Sequence, residues 1–268
     1  VAKASTRIQK ISNNISTEEI LRQAIKIPGV KIDRRTFLQK ELLGRFPQSV
    51  VEQAVNERPA AANISKNEID ELAAKVIQYE TNRVSCISFL TGLPGGAAMI
   101  AAIPADIVQY FGFILRIMQE LAYLYGFPEL ILDENNISTE VMNELLLFLG
   151  VMFGVQEASA GVKVLASTIS RTVAKRLANV ALTKTAVYPI VKKVATKIGF
   201  SMTKQIFANG VSKAVPVLGG IASGGLTYAT FKPCANRLKN CFGMLNLSNP
   251  NEYIRAELQN TDFIEINT

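Results

Sequence analysis

Two long uncharged blocks constrain this chain more than any other feature. Val84–Ala105 and Ala214–Phe231 each run from end to end without one charged side chain. Most of that apolar surface must leave water, since exposing it forfeits about 25 cal/mol per Å². The first block is nominally long enough to cross a bilayer as a helix. Yet Gly92-Leu93-Pro94-Gly95-Gly96 and Pro104 interrupt it, and Pro216, Gly219, Gly220, Gly224 and Gly225 punctuate the second. Proline lacks the amide donor a helix interior needs. The pattern predicts helix, tight turn and short helix, with small residues allowing close helix approach in water or in lipid. Three fates stay open for the blocks: buried central helices, membrane spans, or hairpins buried in solution that insert into a bilayer.

The rest of the chain supplies helical partners. Ser16 with Glu19 forms a capping-box pattern before Ile20, Leu21 and Ala24. Asp33 caps a second helix through Phe37, Leu38 and Leu42, ending at Gly44, and Pro47 takes the first position of a third through Val50, Val51 and Val55. Asn56–Ile64, with Pro59 and a run of alanines, reads as a linker. Ser65 and Glu68 open a long helix through Ile69, Leu72, Ala73, Val76 and Ile77 towards Ser88. Pro104 opens another, through Tyr110, Phe111, Leu115, Leu121 and Tyr125, with Gly126 as its cap and Pro128 beyond. An apolar helix over Leu145–Val155 is opened by Ser138 or a neighbour. Strand-like alternation is confined to Phe263–Ile266. The expected class is all-α, a multi-helix bundle with Gly/Pro-interrupted apolar central helices. Its expected division is an N-terminal helical extension over 1–60, a main helical domain over 61–245 and an acidic tail over 246–268.

Charge is distributed unevenly. Residues 1–157 carry 15 basic and 18 acidic side chains, 158–251 carry 13 basic and none acidic, and 252–268 carry one and four. The cationic segment contains Lys163, Arg171, Lys175, Arg176, Lys184, Lys192, Lys193, Lys197 and Lys204. Lysines far outnumber arginines there, and the spacers are aliphatic rather than aromatic, which favours an anionic membrane or an acidic protein partner over nucleic acid. In 187–207 the apolar residues Val187, Ile190, Val191, Val194, Ile198 and Met202 recur at helical spacing, with Lys192, Lys193, Lys197 and Lys204 at other positions around the turn. This is an amphipathic basic helix suited to an acidic lipid surface, with a break near Gly199. The plainer alternative is that the cationic face docks on the acidic N-terminal part of the same molecule.

The chain has no histidine. That removes Ser-His-Asp and Cys-His nucleophile systems and histidine-ligated zinc. Three cysteines, with Cys234 and Cys241 not in C-x-x-C spacing, suggest buried reduced thiols in a cytoplasmic compartment. Val1–Pro59 shows scattered charges and no apolar core of a signal peptide. Asp106 is the only acidic residue between Glu80 and Glu120, so it has no nearby sequence partner for two-carboxylate chemistry.

Thr91-Gly-Leu-Pro-Gly-Gly96, Ala-Ile-Pro-Ala-Asp106, Leu121-Ala-Tyr-Leu-Tyr-Gly126 and Ala214-Val-Pro-Val-Leu-Gly-Gly220 with Gly224-Gly225 beyond follow one another in an order and spacing that resembles the EcsC family of bacterial proteins. The resemblance covers roughly Asp70 to Leu238 and leaves the N-terminal extension outside. It implies a helical, membrane-associated protein with no catalytic residue to carry over. It extends distantly to the helical membrane-associated portions of certain bacterial GTPases, but this chain has no G-x-x-x-x-G-K-[ST] loop.

The candidate site is Gly92, Pro94, Gly95, Gly96, Pro104 and Asp106. A Pro-Gly-Gly turn before a helix start exposes backbone N–H groups to an anion such as a lipid phosphate, and the same glycines serve close helix packing equally well. Asp106 in the first helical turn favours the helix dipole. Asp106, Tyr110 and Tyr123 are candidates for a buried polar network, while Arg116 and Glu120, four apart, read as an ordinary helix pair. The expectation is a non-enzymatic, cytoplasmic, peripheral membrane accessory protein, with no cofactor and no metal, that binds anionic lipid through 158–251. The alternatives are a pore-forming or membrane-disrupting protein with insertable hairpins at 84–105 and 214–231, and a soluble adaptor for an acidic protein or nucleic acid.

Overall fold

The computed structural model describes residues 16–91, 105–171, 189–198 and 219–251. Helices α1 (Thr17–Ile25), α2 (Arg34–Leu42) and α3 (Gln48–Asn56) are short, and α4 (Lys66–Thr91) and α5 (Ala105–Leu124) are long. They are followed by α6 (Thr139–Met152), α7 (Gln156–Arg171), α8 (189–198), α9 (Gly219–Gly243) and a 3-10 turn at Asn246–Ser248. No strand occurs among the described residues, so the fold is all-α; Phe263–Ile266 lies outside them.

Local side chains set the helix starts. Ser16 Oγ accepts the Glu19 N–H at 3.1 Å, Asp33 Oδ1 the Thr36 N–H at 2.7 Å and Ser138 Oγ the Val141 N–H at 3.3 Å. Ser65 and Glu68 close the full reciprocal box: the Glu68 N–H donates to Ser65 Oγ, and the Ser65 N–H donates to Glu68 Oε2 at 2.9 Å. Each cap satisfies a donor the helix itself cannot, worth about 1 kcal/mol. Pro47 stands one position before its expected place, at the N-cap, and α4 runs past Ser88 to Thr91. Gly126 ends the α5 region with φ +92°, a backbone conformation that disfavours any side chain. The segment between α3 and α4 is not a loose linker. Ala60 and Ile64 are buried, and N–H groups of Ala61 and Ile64 donate to Arg58 and Pro59 carbonyls at 3.1 Å each.

Three long helices form the frame. Lys232 on α9 donates to Gln78 on α4 at 2.7 Å, and Gly243 at the end of α9 lies against Lys66 and Asp70 at the start of α4. The two helices are therefore antiparallel. So are α4 and α5, since Tyr125, just past α5, donates to Asp70 while Arg116 meets Glu80. Phe127, Phe148 and Phe242 pack with ring centroids 4.8–5.2 Å apart, joining α6 to α9 and the residues after α5. Such aromatic pairs add about 0.5–1.5 kcal/mol each beyond area burial. Ile20, Leu21, Phe37 and Leu38 of the first two helices belong to the same hydrophobic core as Leu115, Leu121 and Phe242.

The 29–32 loop is strapped to α5. Gln119, fully buried, donates to Val30 O at 2.9 Å and accepts the Ile32 N–H at 3.1 Å; Tyr123 donates to Ile32 O at 3.3 Å. Among the described residues, no helix is long and apolar enough to cross a membrane.

Candidate functional site

Helix α8 realises the amphipathic pattern read from the sequence, with a consequence for its apolar side. Val191, Val194 and Ile198 are buried, and Lys192, Lys193 and Lys197 are exposed. The apolar stripe packs on α6 and α7: the Cβ position of Gly150 falls 2.5 Å from Val194 Cγ1, and that of Gly161 falls 3.3 Å from Ile190 Cγ2. At Gly150 only a backbone without a side chain allows this approach. The apolar face is thus spent within the molecule, and what α8 presents to solvent is its charge. Val187, Gly199 and Met202 lie outside the described residues.

The cationic positions do not form one stripe. Lys197 pairs with Glu157 at 2.6 Å, holding that carboxyl below the usual carboxylate range, with the Lys193 charge adding to the effect. This is the self-docking contact that the charge asymmetry allowed. Lys192 and Lys193 make no ion pair among the described residues. Lys163 is exposed on α7, on the side facing Cys241 rather than the Gly161 side that receives α8. Arg171 ends α7. Lys175, Arg176, Lys184 and Lys204 lie outside the described residues, as do Gly92, Pro94, Gly95, Gly96 and Pro104. Asp106 falls in the first turn of α5.

The frame brings the described parts of the two uncharged blocks, 84–91 and 219–231, together. From Gln78, α4 continues to Thr91, and from Lys232, α9 runs back to Gly219. At a helical rise of about 1.5 Å per residue, both helices extend about 20 Å beyond the Gln78–Lys232 contact, side by side and in the same direction. Helix α5 starts at this end too, since Tyr110 lies beside Thr230 and Cys234 of α9. The end of α4, the start of α5 and the start of α9 therefore share one pole of the bundle. Moving away from that pole, the first charge on α4 is Arg83 and on α9 Lys232; on α5 it is Asp106. The opposite pole carries Lys66, Asp70 and Lys239, where Lys66 and the Tyr125 hydroxyl outweigh burial and keep the Asp70 carboxyl below its ordinary range.

A second polar site lies inside the bundle, and reading along the chain missed it. Arg116 and Glu120 are not an ordinary surface pair. Their side chains are 17% and 6% exposed, and Arg116 Nη2 reaches Glu120 Oε1 at 3.1 Å and Glu80 Oε1 at 3.4 Å. Glu80 is 1% exposed and also takes Arg83 at 3.3 Å. Arg116 Nη1 donates to the Gly29 carbonyl. Burial first, then the Glu80 charge, pushes the Glu120 carboxyl well above the usual carboxylate range. The signal for Glu80 was present in the sequence: it continues the buried Leu72, Val76, Ile77 stripe that resumes at Val84. The expected network of Asp106, Tyr110 and Tyr123 does not form through the tyrosines. Tyr110 points to α9, whereas Tyr123 bonds Ile32 O and accepts the Leu130 N–H, and burial raises both phenols.

Cys234 and Cys241 are buried free thiols, and burial raises both. A raised thiol is mostly protonated and a poor nucleophile at neutral pH. Among the described residues, no group of three His, Cys, Asp or Glu side chains is placed to hold a metal ion. No family model matches the chain, and no curated protein or solved structure matches it either.

Proposed function

We propose that this chain is a non-enzymatic accessory protein that associates peripherally with an anionic membrane surface. One observation carries the reading: the described parts of the two longest uncharged blocks, 84–91 and 219–231, far apart in sequence, meet at one pole of the helical frame. Arg83 and Lys232 are the first charges behind that pole on α4 and α9. On α4 and α9 an apolar end backed by basic side chains matches the layering of a bilayer surface, acyl chains beneath anionic headgroups, while α5 brings one acid, Asp106, to the same end. The exposed Lys192 and Lys193 of α8 add long-range attraction, each contributing about 1 kcal/mol when held near such a surface. The EcsC-like motifs fit the same assignment, since they include the Gly/Pro-rich stretches of the uncharged blocks.

The chain contains no tryptophan, so one introduced indole reports alone. Phe89→Trp places it at the uncharged pole, and Met244→Trp places it at the far end of α9, where Met244 is 67% exposed. Each variant is mixed with vesicles of zwitterionic lipid, with and without phosphatidylglycerol, carrying brominated acyl chains. The expected result is quenching of Phe89→Trp that requires the anionic lipid and weakens with salt, with Met244→Trp unaffected. Quenching independent of lipid charge, or equal quenching at both positions, would overturn the assignment. Binding to DNA but not to vesicles would transfer the basic surface to a nucleic acid.

A further inference from the structure

Among the described residues, Glu80 and Glu120 are the buried carboxylates, and they share one nitrogen. Nη2 of Arg116 has two hydrogens, and both point to carboxylate oxygens, one from each glutamate. The remaining groups are unevenly served. Glu80 has a second cation in Arg83, whose side chain is 39% exposed. Glu120 has none: its Oε2 is buried without a hydrogen-bond partner, and so is Nε of Arg116. An ionised carboxylate oxygen with no donor in a dry interior costs far more than the same oxygen in a neutral carboxyl group. The groups facing the pair are Lys40 and Glu41 of α2, Glu80 and Arg83 of α4, and Arg116 of α5. Lys40 and Glu41 pair with each other at 3.3 Å, so α2 brings little net charge to the site.

We propose that Glu80 and Glu120 form a buried proton-binding site, in which one proton resides on Glu120, whose Oε2 has no donor, while Arg83 and Arg116 both face Glu80. The ligand is the proton itself, and the assignment is independent of membrane binding. Two like charges on one desolvated guanidinium repel, and holding one proton removes that repulsion. Arg83 makes Glu120 the one that takes the proton, because it touches Glu80 only. A neutral Glu120 carries its unpartnered oxygen at lower cost than a charged one. Arg116 is then free to divide its donors between Glu80 and the Gly29 carbonyl that begins the strapped loop.

The test is a carbon-detected NMR titration of the full chain with glutamate side chains labelled at Cδ, using Glu120→Gln to assign the Glu120 signal. Glu120 is expected to titrate above neutrality, about two pH units or more above the exposed glutamates. Glu80→Gln removes the like charge and leaves Arg116 to one carboxylate, so the Glu120 midpoint is expected to fall by at least about one unit, tenfold in proton affinity. A Glu120 midpoint within the range of the exposed glutamates overturns the proposal, and so does a midpoint that Glu80→Gln leaves in place. The wild-type titration decides the first point even if Glu80→Gln unfolds the chain.

Discussion

Replacing Gly150 by alanine tests how α8 is held, and hence why its lysines face outward. The new Cβ would lie 2.5 Å from Val194 Cγ1 and 2.8 Å from the Ala158 Cβ. Both are closer than real Cβ atoms approach, and neither neighbour yields easily: valine is stiff at χ1, and the alanine Cβ is fixed to its backbone. Overpacking of this kind costs about 1–3 kcal/mol. Against it stands the helix-propensity gain of alanine over glycine, at most about 1 kcal/mol in the last turn of α6. The clash wins, with a net loss of about 1–2 kcal/mol and a fall in the urea midpoint of about 0.5 M. Gly161→Ala is the internal control. Its Cβ meets Leu147 Cδ2 at 2.6 Å, the far end of a flexible side chain, so the variant should be near neutral. Val194→Ala removes the shorter of the two clashes and leaves the 2.8 Å approach to the Ala158 Cβ, so in that background Gly150→Ala should cost measurably less than in the wild type. The double-mutant cycle should therefore report coupling of about 1–3 kcal/mol. A Gly150→Ala chain more stable than wild type, or the same effect in both backgrounds, would refute the packing of α8 on α6 through this contact.

Other perturbations have equally definite outcomes. Lys192→Gln with Lys193→Gln should leave thermal stability unchanged and weaken binding to anionic vesicles by about 2 kcal/mol, roughly thirtyfold, measured by co-sedimentation at low salt. Arg34→Met should cost about 3 kcal/mol in urea unfolding, because the guanidinium donates to the carbonyls of Val55 at 2.6 Å, Glu57 at 2.9 Å and Phe127 at 3.1 Å and no apolar chain replaces those bonds. Glu144 on α6 is raised to about 7 by burial and by Glu140. The folded chain thus holds that proton where the unfolded chain has lost it. The stability it contributes is complete below the ordinary carboxylate value and disappears as pH rises through about 7. Glu144→Gln should flatten the stability profile in that window, read from thermal midpoints between pH 4 and 8.

Legibility followed the range of the physics. Helix starts were readable because Ser16, Asp33, Ser65 and Ser138 act on amides three residues away. The facing of α8 was readable because its period is local. What its apolar side meets was not, since Gly150 and Gly161 lie on two earlier helices. Asp106 attracted attention as an isolated acid, yet the carboxylates that meet are Glu80 and Glu120, on either side of it in sequence and joined only by the antiparallel pairing of α4 with α5. Nothing local in the sequence marks Arg34. Its burial follows from three backbone carbonyls that converge from two separate segments.

The Gln78–Lys232 contact joins residues 154 positions apart. During synthesis at about 5–20 residues per second, α4 is complete roughly 8–30 seconds before α9 exists to lie beside it. For that interval the uncharged block at 84–105 has emerged without its counterpart. The nascent chain is then at its greasiest, and what shields it has to come from somewhere else: from α5, from a chaperone, or from the membrane. A chain truncated before α9 should for that reason be more aggregation-prone in water than the complete one, and more avid for lipid.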